Sequence, residues 1–144
     1  MTAKEYLLQV RRASIAKKHC EERLDELRAQ AGGLRAITYD KDKVQVSPSD
    51  TLLESIIKLT EIEIEYGRRI VKYERIKAYI TAQIDAMDDP VHSALLTLRY
   101  VKETPRGRMI PLRTIADIMG YDYDRIRHLH GEALAAFRRK YLTQ

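Results

Sequence analysis

The side chains with chemistry to offer gather in one stretch. In "TIADIMGYDYDRIRHLHGEAL", Thr114 to Leu134, positions 121–130 alone hold two Tyr, two Asp, two Arg and two His. Metal binding and acid–base catalysis are the first chemistries to test. His128 and His130 stand two residues apart, so on a helix they point to different sides, and no third ligand is close by in sequence. Asp88 and Asp89 form the other conspicuous carboxylate pair, but Pro90 follows them directly, which is the pattern of a helix cap. No Gly-rich phosphate loop, nucleophile elbow or metal-spaced cluster occurs, so neither an enzyme nor a cofactor site is expected.

Recognition of an anionic surface is the chemistry that remains. Two helices that cross closely at a turn need a small residue at the crossing, a turn residue that tolerates positive φ, and an apolar anchor facing back. Ala116, Gly120 and Ile126 meet those needs. Ile115, Ile118 or Met119, Leu129, Leu134 and Phe137 complete the inward set. Asp122, Tyr123, Asp124, Arg127 and His128 are then left outward at the start of the second helix, the position from which a helix reads base edges in the roughly 12 Å major groove of B-DNA. Capping is the first role expected of the two Asp. Arg106, Arg108, Arg113 and Arg125 flank this surface as phosphate contacts, which position a module without reading sequence. Arg138, Arg139 and Lys140 serve equally well as phosphate contacts or as positive charge at a helix C-terminus.

The charge distribution agrees with an anionic partner for this half of the chain. Residues 1–89 hold 16 Lys/Arg and 16 Asp/Glu, whereas residues 90–144 hold 10 against 5, so the whole net charge of +5 lies in the later part. Cys20 is the only cysteine, so no intrachain disulfide can form. The lone thiol, with no apolar leader and no long apolar run, leads to an expectation of bacterial cytoplasm and no membrane.

Positioning this surface requires helices, and their signals are legible. Thr2 and Glu5 have capping-box spacing for a first helix starting at Ala3. Along it Tyr6, Val10, Ala13, Lys17, Cys20, Leu24 and Leu27 step by four and three, the coiled-coil period, with Lys17 as the flaw. Gly32 and Gly33 are expected to end the helix. Residues 34–46 alternate loosely and read as loop, with a hairpin around Asp40–Lys43 as an option. Ser47, Pro48 and Asp50 open a second helix running to about Met87. Its seam is Leu52, Ile56, Leu59, Glu63, Tyr66, Ile70, Tyr73, Lys77, Ile80, Ile84 and Met87, and Leu53, Ile57, Ile62, Ile64, Val71 and Ile76 widen the apolar face. A helix of that length must be paired along its side. The expected partners are the first helix, folded back antiparallel, and a second copy of the chain. "DDP" at 88–90 marks the domain boundary. Beyond it a third helix buries Val91, Ala94, Leu95 and Leu98, with Val101 at its edge, and the loop "KETPRGRMIP" leads to helices at about 112–119 and 122–140.

The sequences "ALLTLRYV" and "TIADIMGYDYDRIRHLHGEALAAFRR" resemble the fourth conserved region of bacterial sigma factors over about residues 91–140. Together with a coiled-coil first half and the opening "TAKEYL", the layout is similar to small phage regulators of the RinA and ArpU late-transcription type. Membership implies control of phage or prophage genes, with base-reading positions falling on Asp122, Tyr123, Asp124, Arg127 and His128. Two departures set it apart from an autonomous sigma factor: the link "KETPRGRMIPL" is long, and nothing resembling a minus-ten binding region precedes it. The expected protein is therefore all-α. Residues 1–88 form a coiled-coil-like antiparallel hairpin for homodimerisation, and residues 89–144 form a sigma region four-like helix-turn-helix domain that binds duplex DNA. Two alternatives share these features: a phage terminase small subunit recognising packaging DNA, and a module that binds RNA polymerase or another protein.

Overall fold

The computed structural model describes residues 1–43 and 50–143, with side chains for all of these except 35 and 37–43. Its regular elements are helical: α1 (Ala3–Lys43), α2 (Asp50–Asp85), α3 (Pro90–Leu96) continuing as a π-helical turn (Thr97–Val101), α4 (Leu112–Met119), and α5 (Tyr123–Phe137) ending in a second π turn (Arg138–Leu142). The described residues include no strand; Glu103 and Met109 form an isolated antiparallel bridge. No described helix is long and apolar enough to cross a membrane.

The capping box forms as expected. The Thr2 amide donates to Glu5 Oε2 at 2.8 Å, and the Glu5 amide donates to Thr2 Oγ1 at 3.1 Å. These bonds favour the carboxylate and hold Glu5 below its usual pKa, the backbone bond to Thr2 being the largest cause. Gly32 and Gly33, however, do not end the helix: α1 continues through both to Lys43, and neither adopts positive φ. Glycine in a helix interior costs about 1 kcal/mol relative to Ala. The buried seam outweighs that cost, because Leu27 and Ala31 are fully buried and Leu34, three residues on, is half-buried. The loop expected from residue 34 is therefore helical as far as 43. Residues 44–46 and the Ser47–Pro48 start signal lie outside the described residues.

By contacts the chain divides into two compact units, Ile15–Tyr73 on one hand and Met1–Ser14 with Glu74–Gln144 on the other. This division falls inside α1 and α2, away from the helix break at Ala86–Asp89. In the first unit, Cys20, Leu24, Leu27 and Ala31 of α1 are buried. On α2, Leu52, Ile56, Leu59, Glu63, Tyr66, Ile70 and Tyr73 are all half-buried, so the seam read from the four-and-three spacing is the covered side of the helix. Lys17, the polar member of the α1 seam, is half-buried and pairs with Glu21 at 3.6 Å.

The second unit holds the larger core. Ala3, Leu7 and Val10 of α1 and Ile80, Ile84 and Met87 of α2 are buried in one cluster with Leu95, Leu96, Tyr100, Ile115, Ala116, Ile126, Leu129, Ala133 and Phe137. Phe137 sits between Tyr6 and Tyr141, at ring distances of 5.7 and 4.8 Å. Tyr6 Oη donates to Gln83 Oε1 at 2.6 Å, and Tyr141 Oη donates to the Gln83 carbonyl at 2.7 Å. Asp89 caps α3 as its sequence implies, accepting from the Val91 amide at 2.8 Å with Pro90 in the first turn. Of the residues expected inward on α3, Leu95 is buried and Val91, Leu98 and Val101 pack against the core, whereas Ala94 does not. Leu95, Leu96 and Tyr100 are buried while Ala94 is exposed. After Leu96 the π turn, closed by the Lys102 amide on the Thr97 carbonyl, widens the ring by one residue and brings Tyr100 inward five residues after Leu95.

Candidate nucleic-acid interface

The surface begins with a turn that the sequence specifies closely. α4 ends at Gly120, which takes a left-handed conformation with φ 75°. Its amide and that of Tyr121 both bond to the Ala116 carbonyl, which closes the C-terminal end of α4. Ala116 and Ile126 are buried, as their roles at the crossing require, and Ile115 lies beside them. Between the two inward options, Met119 is half-buried and Ile118 is exposed. The short chain from Gly120 to Asp122 therefore fixes where α5 starts.

At that start, five of the sequence-selected residues converge. The Arg113 guanidinium, from the first turn of α4, lies 4.4 Å from the Tyr123 ring centroid, and that of Arg127 lies 5.7 Å away. Two cations thus lie within cation–π reach of the Tyr123 ring, which favours one placement of this amphipathic side chain. Arg127 pairs with Asp124 at 3.8 Å, and His128 Nδ1 donates to the Asp124 carbonyl at 2.9 Å. Asp122, Asp124, Arg125, Arg127 and His128 are exposed and Tyr123 is half-buried. The positive end of the α5 dipole points out among them.

The capping role expected of Asp122 is only partly met. It occupies the cap position with extended backbone, and its carbonyl accepts from the Ile126 amide at 3.0 Å, but its side chain makes no cap hydrogen bond. Its carboxylate is therefore exposed without that use, and it shares the outer surface with Arg127. Asp124 stands in the first turn, where negative charge complements the dipole.

The remaining arginines are distributed differently. Arg125 is exposed on α5, while Arg106 and Arg108 are exposed on the loop Lys102–Pro111. Neither loop side chain is bonded to the Tyr123 cluster among the described residues. The loop itself is well defined. Gly107 turns with φ 74°, and its amide bonds to the Thr104 carbonyl, while the Arg108 amide bonds to Thr104 Oγ1. Arg11 of α1 anchors it through Glu103 at 2.8 Å and through the Gly107 carbonyl. Sequence reasoning missed Arg11 and Arg99, which bonds the Ile110 carbonyl at 2.8 Å. Nothing local in the sequence marks Arg11, because its partners are more than ninety residues away.

Lys140 resolves toward structure. Its ammonium bonds the Ala86 carbonyl at 2.5 Å and Asp88 at 3.2 Å, placing positive charge at the C-terminal end of α2. Arg138 and Arg139 remain exposed.

The two histidines separate as their spacing requires. His130 is half-buried, stacks on Tyr100, and has Nε2 2.9 Å from Tyr100 Oη. Burial lowers the His130 pKa, and the cations Arg99 and Lys4 lower it further. Burial likewise pushes the Tyr100 phenol up to about 12. Both shifts favour the neutral phenol and the neutral imidazole, so the two share a hydrogen bond within the core. No group of three or more metal-binding side chains occurs among the described residues. Set against known protein families, curated proteins and solved structures, the chain matches none of them.

Proposed function

We propose that this protein is a sequence-specific, duplex DNA-binding transcription regulator of phage or prophage genes, acting as a homodimer through residues 1–88. In this reading α4 and α5 are a helix-turn-helix with the sigma region four pattern, and α5 enters the major groove. The observation that carries it is the exposed set at the α5 start, with Arg113 and Arg127 both over the Tyr123 ring directly beyond the Ala116–Gly120–Ile126 turn. Arg127 presents donors and His128 Nε2 an acceptor to base edges, Tyr123 reaches a phosphate or a thymine methyl, and Asp122 and Asp124 accept from cytosine N4. Arg106, Arg108, Arg113 and Arg125 contribute the sequence-independent attraction to phosphate.

The antiparallel α1–α2 hairpin belongs to the same proposal. It is supported within each compact unit by one pairing: Tyr6 bonds Gln83 in one, and Arg23 lies beside Tyr66 in the other.

Selection of bound duplexes from a random pool, combined with a mass measurement on the free protein, tests the reading. The expected result is a dimer that enriches a site with dyad symmetry and half-sites about one helical turn apart or a multiple of that. A ring of eight or more subunits points instead to a terminase small subunit. No affinity for duplex DNA at low salt, or affinity insensitive to salt, points to a module that binds RNA polymerase or another protein.

A further inference from the structure

The covered seam of α2 leaves a second apolar line on the same helix. Leu53, Ile57, Ile64 and Val71 are 42%, 57%, 52% and 43% exposed. With Thr60 and Gly67 between them, they step by four and three through Leu53, Ile57, Thr60, Ile64, Gly67 and Val71. That is a complete coiled-coil register about a quarter turn from the covered one, and only another helix lying along α2 can cover a line of that period. Gly67 sharpens the point. Glycine weakens a helix interior, and here a Cβ would meet nothing within 4 Å, so the surrounding chain gives no reason for its absence. A closely approaching second helix does.

The charges beside this line state which helix and in which direction. Glu54, Glu61, Arg68 and Arg75 recur every seven residues along one flank, and all four are exposed. Negative charge thus occupies the first half of the line and positive charge the second. We propose that α2 pairs with α2 of a second copy of this chain, antiparallel, about a two-fold axis near Ile64 and Gly67. In that register Glu61 of each copy faces Arg68 of the other, Glu54 faces Arg75, and Ile64 fills the space above Gly67 across the axis. A parallel pair sets the same flank against Ile56, Glu63 and Ile70, offering one opposite-charge partner, and Glu63 has a buried carboxylate oxygen. The flank is self-complementary only when the helices run in opposite directions.

This proposal deepens the dimer reading given above and rests on it, but it does not depend on DNA binding. The test is sedimentation equilibrium of the full chain and three charge variants, with circular dichroism to confirm unchanged helix content. Glu61→Arg and Arg68→Glu each convert two attractive contacts into two repulsive ones by symmetry. Each is expected to raise the dimer Kd about 30-fold, since two lost attractions and two gained repulsions of about 0.5 kcal/mol apiece sum to about 2 kcal/mol. The double variant Glu61→Arg/Arg68→Glu restores the cross-pairs and is expected to return to the parent Kd. Ile64→Asp, at an exposed position that leaves the fold alone, is expected to give monomer. A parent chain that sediments as a monomer overturns the dimer reading and this proposal together. A dimer that ignores Ile64→Asp, or single swaps that the double swap fails to rescue, overturns the antiparallel α2 pairing while the dimer stands. A dimer with the expected charge behaviour that binds no duplex overturns the DNA reading alone.

Discussion

Arg127→Ala separates a reading role from a structural one, because the two make different numerical predictions. The Arg127 side chain is 61% exposed, and its ion-pair partner Asp124 is 87% exposed at 3.8 Å. A pair so open to water contributes well under about 1 kcal/mol to folding. The contact with the Tyr123 ring, at 5.7 Å, adds about 0.5 kcal/mol, the low end for an exposed site. Thermal unfolding is therefore expected to shift by only a few degrees, at the lower end of what about 1 kcal/mol produces in a domain of this size. On DNA the expectation is larger, since a bidentate Arg–guanine contact carries about 1–3 kcal/mol of discrimination, or roughly 5- to 150-fold in the ratio of specific to random affinity. Arg127→Lys keeps the charge and loses the planar fork, so it should recover random-duplex affinity while leaving most of the discrimination lost. Fluorescence anisotropy on a selected site and a scrambled duplex, at two salt concentrations, measures the ratio directly. Equal weakening on both duplexes would refute the reasoning, since it would make Arg127 a phosphate contact.

Arg106→Ala is expected to weaken all duplexes alike and to reduce the salt dependence of binding by about one counterion, which titration across salt concentrations reads out. Ala116→Leu forces three extra carbons into the buried crossing of α4 and α5, so chemical denaturation should report a loss of about 1–3 kcal/mol. His130 has a folded pKa below its unfolded value, so the stability of its neutral form is fully present above about pH 6.5 and is lost as pH falls through the folded pKa. The melting temperature should accordingly drop between pH 7.5 and pH 5, and His130→Gln should flatten that part of the profile; an unchanged slope would show that another group sets it.

Much of this surface was legible because local rules govern it. The Ala116–Gly120–Ile126 spacing located the turn, since positive φ at Gly120 and a small residue at a helix crossing are demands that few residue types satisfy. The four-and-three steps on α2 identified its covered side without the identity of the covering helix. Three expectations failed where non-local packing competes with local preference. Gly32 and Gly33 signal a helix end, yet Ala31 and Leu34 continue the seam through them. Ala94 lies on the periodic face of α3, yet it is exposed while Leu96 and Tyr100 are buried. Asp122 has the side chain of a cap, and its backbone conformation supplies the cap position without a side-chain bond.

The sequence by itself determined the all-helical class, the covered line of each long helix, the cap at Asp89 and the residues that converge at the start of α5. These follow from periodicity, capping and turn chemistry, which act within a few residues. Tertiary structure alone decided that Arg11 clamps the Lys102–Pro111 loop through Glu103 and Gly107, that Lys140 binds the end of α2, and that His130 is a half-buried hydrogen-bond partner of Tyr100. Each of those contacts joins residues thirty or more positions apart, where sequence spacing carries no geometric information and only the packed core fixes which side chains meet.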